Sequence, residues 1–268
     1  MDIPDAKYLC PVESDGKRRS QKQQHVAFYP GKKCMGCYSC YSGNTAGGLG
    51  TTPIRPEKPI IAGRELVTTS IDAFLSEDVA LVLEGIENPI NLITKNPDVA
   101  LKSLRKHPRI WENLDYHIQA TTIKDGLIMH QPSLPKLVKE AKSLSCRVDP
   151  IIPGFCKDEI IIRHLEHLRR IGVRHNTSNT LKIYWWQHYP ENVMTYYSDK
   201  EYVTRKKTSL MINEDEELRI FKTLKKAADR LGMTLGICMS GPSMQELATA
   251  PCEGGVYIGQ YGKHTSSK

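Results

Sequence analysis

Residues 114–152, LDYHIQATTIKDGLIMHQPSLPKLVKEAKSLSCRVDPII, decide the fold class. Leu114 to Ile123 alternates apolar and polar side chains, the period-two signature of a strand. After Ser133, Leu134, Leu137, Val138, Ala141 and Leu144 recur at helical spacing. Cys146 to Ile152 is strand-like again and is stopped by Pro153-Gly154. A helix crossing between two such strands makes them parallel neighbours in one sheet.

The same rhythm extends in both directions. Upstream, His25 to Tyr29 (HVAFY), LVTTSID at 66–72 and Ile90 to Thr94 are strand-like, while Ser76 to Gly85 and Pro97 to Lys106 are helix candidates. Gly85-Ile86-Glu87 reads as a helix stop. The Gly-rich stretch 43–50 and the proline-bearing stretch 53–59 read as loop. Downstream, Ile161, Leu165, Leu168 and Ile171 mark a helix with Gly172 at its C′ position. Val173 to Thr177 and Leu181 to Trp185 are strand candidates. Asn213 stands before the helix of Leu218, Phe221, Leu224, Ala228 and Leu231, with Glu216 at N3 and Gly232 at its end. MTLGICM at 233–239 is a last strand. Six or seven such units predict an α/β fold, a partial or full (β/α) barrel of parallel strands with outer helices. An open doubly wound sheet is the rival. The expected organisation is a polar irregular segment over 1–24, the barrel over 25–240 and a C-terminal extension over 241–268.

The chain has 268 residues, of which 40% are hydrophobic and 25% charged, and this excludes disordered, collagenous and coiled-coil classes. Its formal charge of +7 permits a phosphate-bearing partner without requiring one. No apolar run approaches the roughly 18 residues of a membrane helix. The N-terminus shows no apolar signal segment. The expectation is a cytoplasmic protein without a membrane partner, whose eight cysteines are thiols or metal ligands.

Three of those cysteines, Cys34, Cys37 and Cys40 in GKKCMGCYSCYSG, lie just after the first strand candidate. Thiolates this close converge on one centre, either an iron–sulfur cluster or zinc. Cys10, Cys238, Cys252 or a histidine can complete a closed site. The alternative is an open fourth position that takes a substrate or cofactor. The placement of Cys10 also leaves open whether it replaces Cys34 in the triad.

A three-cysteine loop after the first strand of a (β/α) barrel resembles the radical S-adenosylmethionine (radical SAM) enzymes, and Tyr38 and Tyr41 beside the cysteines resemble that motif too. LVTTSIDAF at 66–74, INLITKNP at 90–97 and MHQPSLPKLVKEAKSLSCRVDPIIPGFCKDE at 129–159 are similar to the spore photoproduct lyase-like branch, and the resemblance spans about residues 25–240. The spacing here is C-x2-C-x2-C, one residue shorter between the first two ligands than the family's usual C-x3-C-x2-C. The resemblance implies a [4Fe–4S] cluster on Cys34, Cys37 and Cys40 and S-adenosylmethionine on its open iron. It also implies an electron donor such as flavodoxin or ferredoxin, and a 5′-deoxyadenosyl radical that abstracts hydrogen from substrate. Nucleic acid is the substrate class implied by that branch. The rival function is a non-catalytic zinc or iron–sulfur protein that binds nucleic acid.

Alternation says which side chains line the lumen, because polar groups survive there and not against the helices. Thr68, Ser70 and Asp72 share one face, as do His117, Gln119 and Thr121, and as do Arg147 and Asp149 opposite Val148. Barrel sites lie at the C-terminal strand ends. Ser70, Asp72, Lys95, Gln119, Thr121, Arg147 and Asp149 are therefore the candidate cofactor-binding residues. Asp72 can equally cap the following turn, His117 can be a satisfied buried histidine and Lys95 a solvated one. A lumenal Arg147 needs an anion, either Asp149 or the carboxylate of S-adenosylmethionine. Cys238 shares a face with Thr234 and Gly236, where a thiol can donate hydrogen to a product radical or serve as a small hydrophobe. Cys146 and Cys156 read as structural. The aromatic run from Tyr184 to Tyr189, with Tyr196 and Tyr197, either stacks nucleobases or covers one side of the barrel.

Overall fold

Seven strands pair edge to edge in the order in which they occur along the chain, and every pairing is parallel. They are β1 (Gln23–Val26), β2 (Leu66–Thr69), β3 (Ile90–Thr94), β4 (Tyr116–Thr121), β5 (Leu144–Ile151), β6 (His175–Thr180) and β7 (Thr234–Ile237). A doubly wound sheet reverses its strand order at a switch point. This sheet never reverses, which is the winding of a (β/α) barrel. Among the described residues β1 and β7 are its two edges, so the barrel is open there. The computed structural model describes residues 23–26, 28–29, 55–56, 66–69, 72–184, 187–204, 207–238, 240, 242–250 and 252.

The helices are α1 (Val79–Leu83), α2 (Pro97–Lys106), α3 (Pro108–Asn113), α4 (Leu134–Glu140), α5 (Asp158–Arg170), α6 (Glu191–Met194), α7 (Glu214–Leu231) and α8 (Pro242–Gln245). Their apolar stripes pack on the outer faces of the strands in two clusters. Val67, Ile90, Leu92, Tyr116 and Ile118 meet Leu101, Leu104 and Trp111. Cys146, Val148, Leu235 and Ile237 meet Leu165, Leu168, Phe221 and Leu224. Burying each large apolar side chain contributes about 1.5–3 kcal/mol, which holds the crossovers against the sheet. The charge pattern agrees with the helix dipoles. Helix α7 opens with Glu214, Asp215, Glu216 and Glu217, and α5 ends with His167, Arg169 and Arg170.

Several boundaries differ from the expected ones for local reasons. Helix α2 runs over the expected residues, and Gly232 closes α7 with a left-handed φ of 61°. Gly172, at φ 108°, and Val173 are taken up in capping α5, where Val173 N–H bonds the Leu168 carbonyl at 3.0 Å. Strand β6 therefore starts only at His175. The expected strand at 25–29 divides, because Phe28–Tyr29 pairs antiparallel with Arg55–Pro56 instead of joining the barrel. Asn213 makes no side-chain cap, and the reciprocal bond is absent too, because Asn213 N–H donates to the Tyr196 carbonyl at 2.8 Å while Glu216 pairs with Arg219 at 2.8 Å. Ile183–Tyr184 leaves the barrel for an antiparallel sheet with Tyr197–Thr204 and Lys207–Ile212. Among the described residues no helix is long and apolar enough to cross a membrane.

Candidate active site

Register builds the site. Thr121, Arg147, Thr177 and Gly236 stand side by side across β4, β5, β6 and β7. Val148 points the other way, into the helix-facing core, so Arg147 and Asp149 share the lumen with Gln119. The Arg147 guanidinium donates Nε–H and Nη2–H to Asp149 Oδ2, at 3.0 and 2.6 Å, and Nη1–H to Gln119 Oε1 at 3.0 Å. Burial opposes its charge, but the charge of Asp149 and its hydrogen bonds hold it well above the usual arginine value. Each side chain of the pair keeps 12% of its surface exposed, enough for a small ligand to reach.

Cys238 lies in this group beside Cys252, its thiol partner, and within electrostatic range of Arg147 and Asp149. The hydrogen bond with Cys252 and burial hold the Cys238 thiol well above its usual value, so it stays protonated. The Cys252 carbonyl accepts from Gln119 Nε2 at 2.8 Å and from the Thr177 hydroxyl. Thus the segment after β7 enters the lumen.

A second group forms the rim above β2 and β3. Asp72 Oδ1 accepts from Phe74 N–H (3.0 Å) and Thr94 Oγ1 (2.7 Å), and Oδ2 accepts from Lys95 N–H and Asn96 Nδ2, both at 2.8 Å. Desolvation raises its carboxyl above the usual value, and the bonds from Lys95 N–H, Thr94 and Phe74 N–H, with the Lys95 charge, work against that rise. Asp72 thus both caps the turn at Ala73–Leu75 and fastens Lys95 to the rim. Gln131 Nε2 donates to the carbonyls of Thr121 (2.9 Å) and Lys95 (3.2 Å), tying this rim to β4.

The structure therefore brings Gln119, Arg147, Asp149 and Cys238 together, and joins Asp72, Lys95 and the Thr121 backbone along the adjacent rim. Ser70, Cys10, Cys34, Cys37 and Cys40 lie outside the described residues. His117 sits between the hydroxyls of Ser143 and Ser145, each at 2.8 Å, and burial pushes it down to about 3, so it is neutral. Tyr197 is buried and donates to the Leu181 carbonyl at 3.0 Å, while Tyr189 and Tyr196 pack against the core. These three tyrosines cover the barrel wall. Cys146 is buried in the core, and Cys156 donates to the Gly126 carbonyl at 3.1 Å.

Residues not singled out as site residues from the sequence also converge here. Lys182 follows β6, and burial holds its ammonium pKa below the usual value against the opposing charges of Glu217 and Asp149. Glu217 Oε1 accepts from Thr180 Oγ1 (2.7 Å) and Ser240 Oγ (2.9 Å). Both carried a signal. Lys182 alternates with the apolar Leu181 and Ile183, and Glu217 holds a core position in the series 217, 220, 221, 224.

No family model matches the sequence, and no curated protein matches it. Solved structures do. Spore photoproduct lyase complexed with dinucleoside spore photoproduct is 13% identical, covering 82% of this chain and 78% of that chain, at a TM-score of 0.57. A cysteine-to-alanine mutant of the lyase with the same dinucleoside is 11% identical over the same shares, at 0.56. A cysteine-to-serine mutant is 14% identical over those shares, at 0.53. At such low identity the likeness is one of fold, and the chain shares with spore photoproduct lyase its arrangement of parallel strands and outer helices.

Proposed function

We propose that this chain is a radical S-adenosylmethionine enzyme with Cys34, Cys37 and Cys40 as the thiolate ligands of a [4Fe–4S] cluster. The supporting observation is the conjunction of a barrel wound in chain order, similar to spore photoproduct lyase, with three closely spaced cysteines that follow its first strands in the sequence. When bound, the cluster and S-adenosylmethionine supply a 5′-deoxyadenosyl radical for hydrogen abstraction. The lumen suits the amino-acid end of that cosubstrate. Arg147 offers a guanidinium to its carboxylate, and Asp149, Gln119 and Thr121 offer acceptors to its ammonium. Lys95 completes the cradle, with Asp72 holding it in position through the backbone bond at 2.8 Å. Cys238, kept as a neutral S–H, is the hydrogen donor to a product radical, a role a thiolate cannot fill.

The substrate class is nucleic acid. The solved relatives are described with a dinucleoside photoproduct, and the formal charge of +7 favours a polyanion. The reading places the enzyme in the cytoplasm, reduced by a flavodoxin or ferredoxin, with the barrel at 25–240 as its working unit. The test is anaerobic reconstitution, dithionite reduction and addition of S-adenosylmethionine. Methionine and 5′-deoxyadenosine are the expected products. Stoichiometric zinc without iron or sulfide would instead establish the non-catalytic, nucleic-acid-binding reading.

A further inference from the structure

Beyond the triad of the proposed cluster, the barrel holds two more thiols side by side. The peptide after α8 returns to the edge strand β7. Thr249 N–H donates to the Leu235 carbonyl at 2.8 Å, and Leu235 N–H donates to Thr249 Oγ1 at 2.8 Å. Two bonds to the Cys252 carbonyl, from Gln119 and Thr177, then fix residue 252 in the lumen. Cys238 is fixed from the other side, its N–H bonded to the Ser178 carbonyl at 2.9 Å. Both cysteines are buried thiols outside any disulfide, and they are hydrogen-bond partners of each other. Arg147 lies within electrostatic range of both sulfurs, so a positive charge is in place for a thiolate formed there.

We propose that Cys238 and Cys252 are a redox-active dithiol that closes to a reversible disulfide inside the barrel. The oxidant is a hydroperoxide. One thiol gives up its proton as its sulfur attacks the outer peroxide oxygen, the O–O bond breaks and the alcohol leaves with that proton. The second thiol then attacks the sulfur of the resulting sulfenic acid, the S–S bond forms and hydroxide leaves with the second proton as water. Two thiols lose two electrons and two protons, and one hydroperoxide becomes an alcohol and water. The consequence is local. The bond ties Cys252, whose carbonyl occupies Gln119 and Thr177, covalently to the end of β7. Oxidation therefore adds a covalent tie to the two hydrogen bonds that already hold residue 252 in the lumen, and reduction removes that tie. This inference stands on the placement of the two thiols and not on the identity of the cofactor.

The test uses the full chain, purified anaerobically and treated while folded with tert-butyl hydroperoxide, then denatured, alkylated and digested with trypsin. No Lys or Arg separates Arg230 from Lys263, so both cysteines fall on one peptide, residues 231–263. The expected result is that this peptide is lighter by two hydrogens and takes no label, while Cys146 and Cys156 take theirs. Reduction before alkylation should restore both labels. The Cys252→Ser chain should yield no such peptide, and dimedone should trap a sulfenic acid on its Cys238. A wild-type peptide that keeps both labels, or whose cysteines run on to sulfinic acids without linking, overturns the proposal even if the variant fails to fold.

Discussion

Arg147 and Asp149 stand two residues apart on one strand and close onto a single oxygen, with Nε and Nη2 at 3.0 and 2.6 Å from Asp149 Oδ2. Alternation along β5 makes this possible, because Val148 between them faces the helices. A second contact, from Nη1 to Gln119 Oε1, ties the pair to β4. The guanidinium is thus aimed into the lumen and not merely accommodated there.

Removing one member leaves the other charge nearly buried. Arg147→Ala should cost about 3–5 kcal/mol in urea denaturation, whereas Arg147→Met combined with Asp149→Leu should recover most of that loss. In reconstituted protein Arg147→Ala should keep its iron but bind S-adenosylmethionine more weakly, followed by the EPR signal of the reduced cluster. Unchanged affinity would make Arg147 a structural residue.

Three buried histidines give stability a pH slope. Burial pushes His117 and His175 down to about 3 and His164 to about 4. Their unfolded value is about 6.5. Folded values below unfolded ones mean that the unfolded chain takes up protons first. The contribution is complete above pH 6.5 and is lost as pH falls from there toward the folded values, by up to about 1.4 kcal/mol per histidine per pH unit. Urea midpoints should therefore fall between pH 7 and pH 5, and His117→Gln should flatten part of that slope. A midpoint constant over this range would mean the histidines are hydrated.

Ligand identity separates the cysteines into two classes. Cys34→Ala, Cys37→Ala and Cys40→Ala should each abolish iron binding and cleavage of S-adenosylmethionine, while Cys146→Ala and Cys156→Ala should leave both in place. Retention of a full cluster in Cys34→Ala together with its loss in Cys10→Ala would redraw the triad.

What the sequence made legible follows from how local each signal was. The strands β3 and β4 and the helices α2 and α5 could be read because their periodicity is strong, whereas the helical spacing of Ala141 and Leu144 overruns the next junction: α4 ends at Glu140 with Ala141 extended and β5 begins at Leu144, and no Gly or Pro marks that stop. Lumen-facing residues could be read on the same grounds, since a one-residue period error would have exposed Val148 and buried Arg147 among leucines. The hairpin of Tyr197–Thr204 and Lys207–Ile212 was missed. Its strands are mostly polar, and the two residues between them in the sequence, Arg205 and Lys206, are none of the Gly, Asn or Asp that mark tight hairpins. Cys252 was read only as a spare metal ligand, because nothing local to residues 249–252 shows that they return to β7. That contact is tertiary, and so is the encounter of Lys182 with Glu217 and Asp149.

Glu217 offers the sharpest test of that tertiary layer. It lies on the buried stripe of α7, one turn before Ile220 and Phe221, where an apolar residue would be expected. Both of its hydrogen bonds, from Thr180 and Ser240, end on the same oxygen, Oε1. Glutamine has the same shape and keeps that oxygen as an acceptor, so Glu217→Gln should lose only the charge that faces Lys182. Alanine removes the acceptor as well, leaving the buried Thr180 hydroxyl unpaired at a cost of about 1–3 kcal/mol and the Ser240 hydroxyl with only its 3.4 Å bond to the Cys238 carbonyl. The expected order in urea denaturation is wild type, then Glu217→Gln within about 1–2 kcal/mol, then Glu217→Ala lower by a further 2 kcal/mol or about that. Equal losses in the two variants would show that charge against Lys182, and not the shared acceptor, fastens α7 to the end of β6.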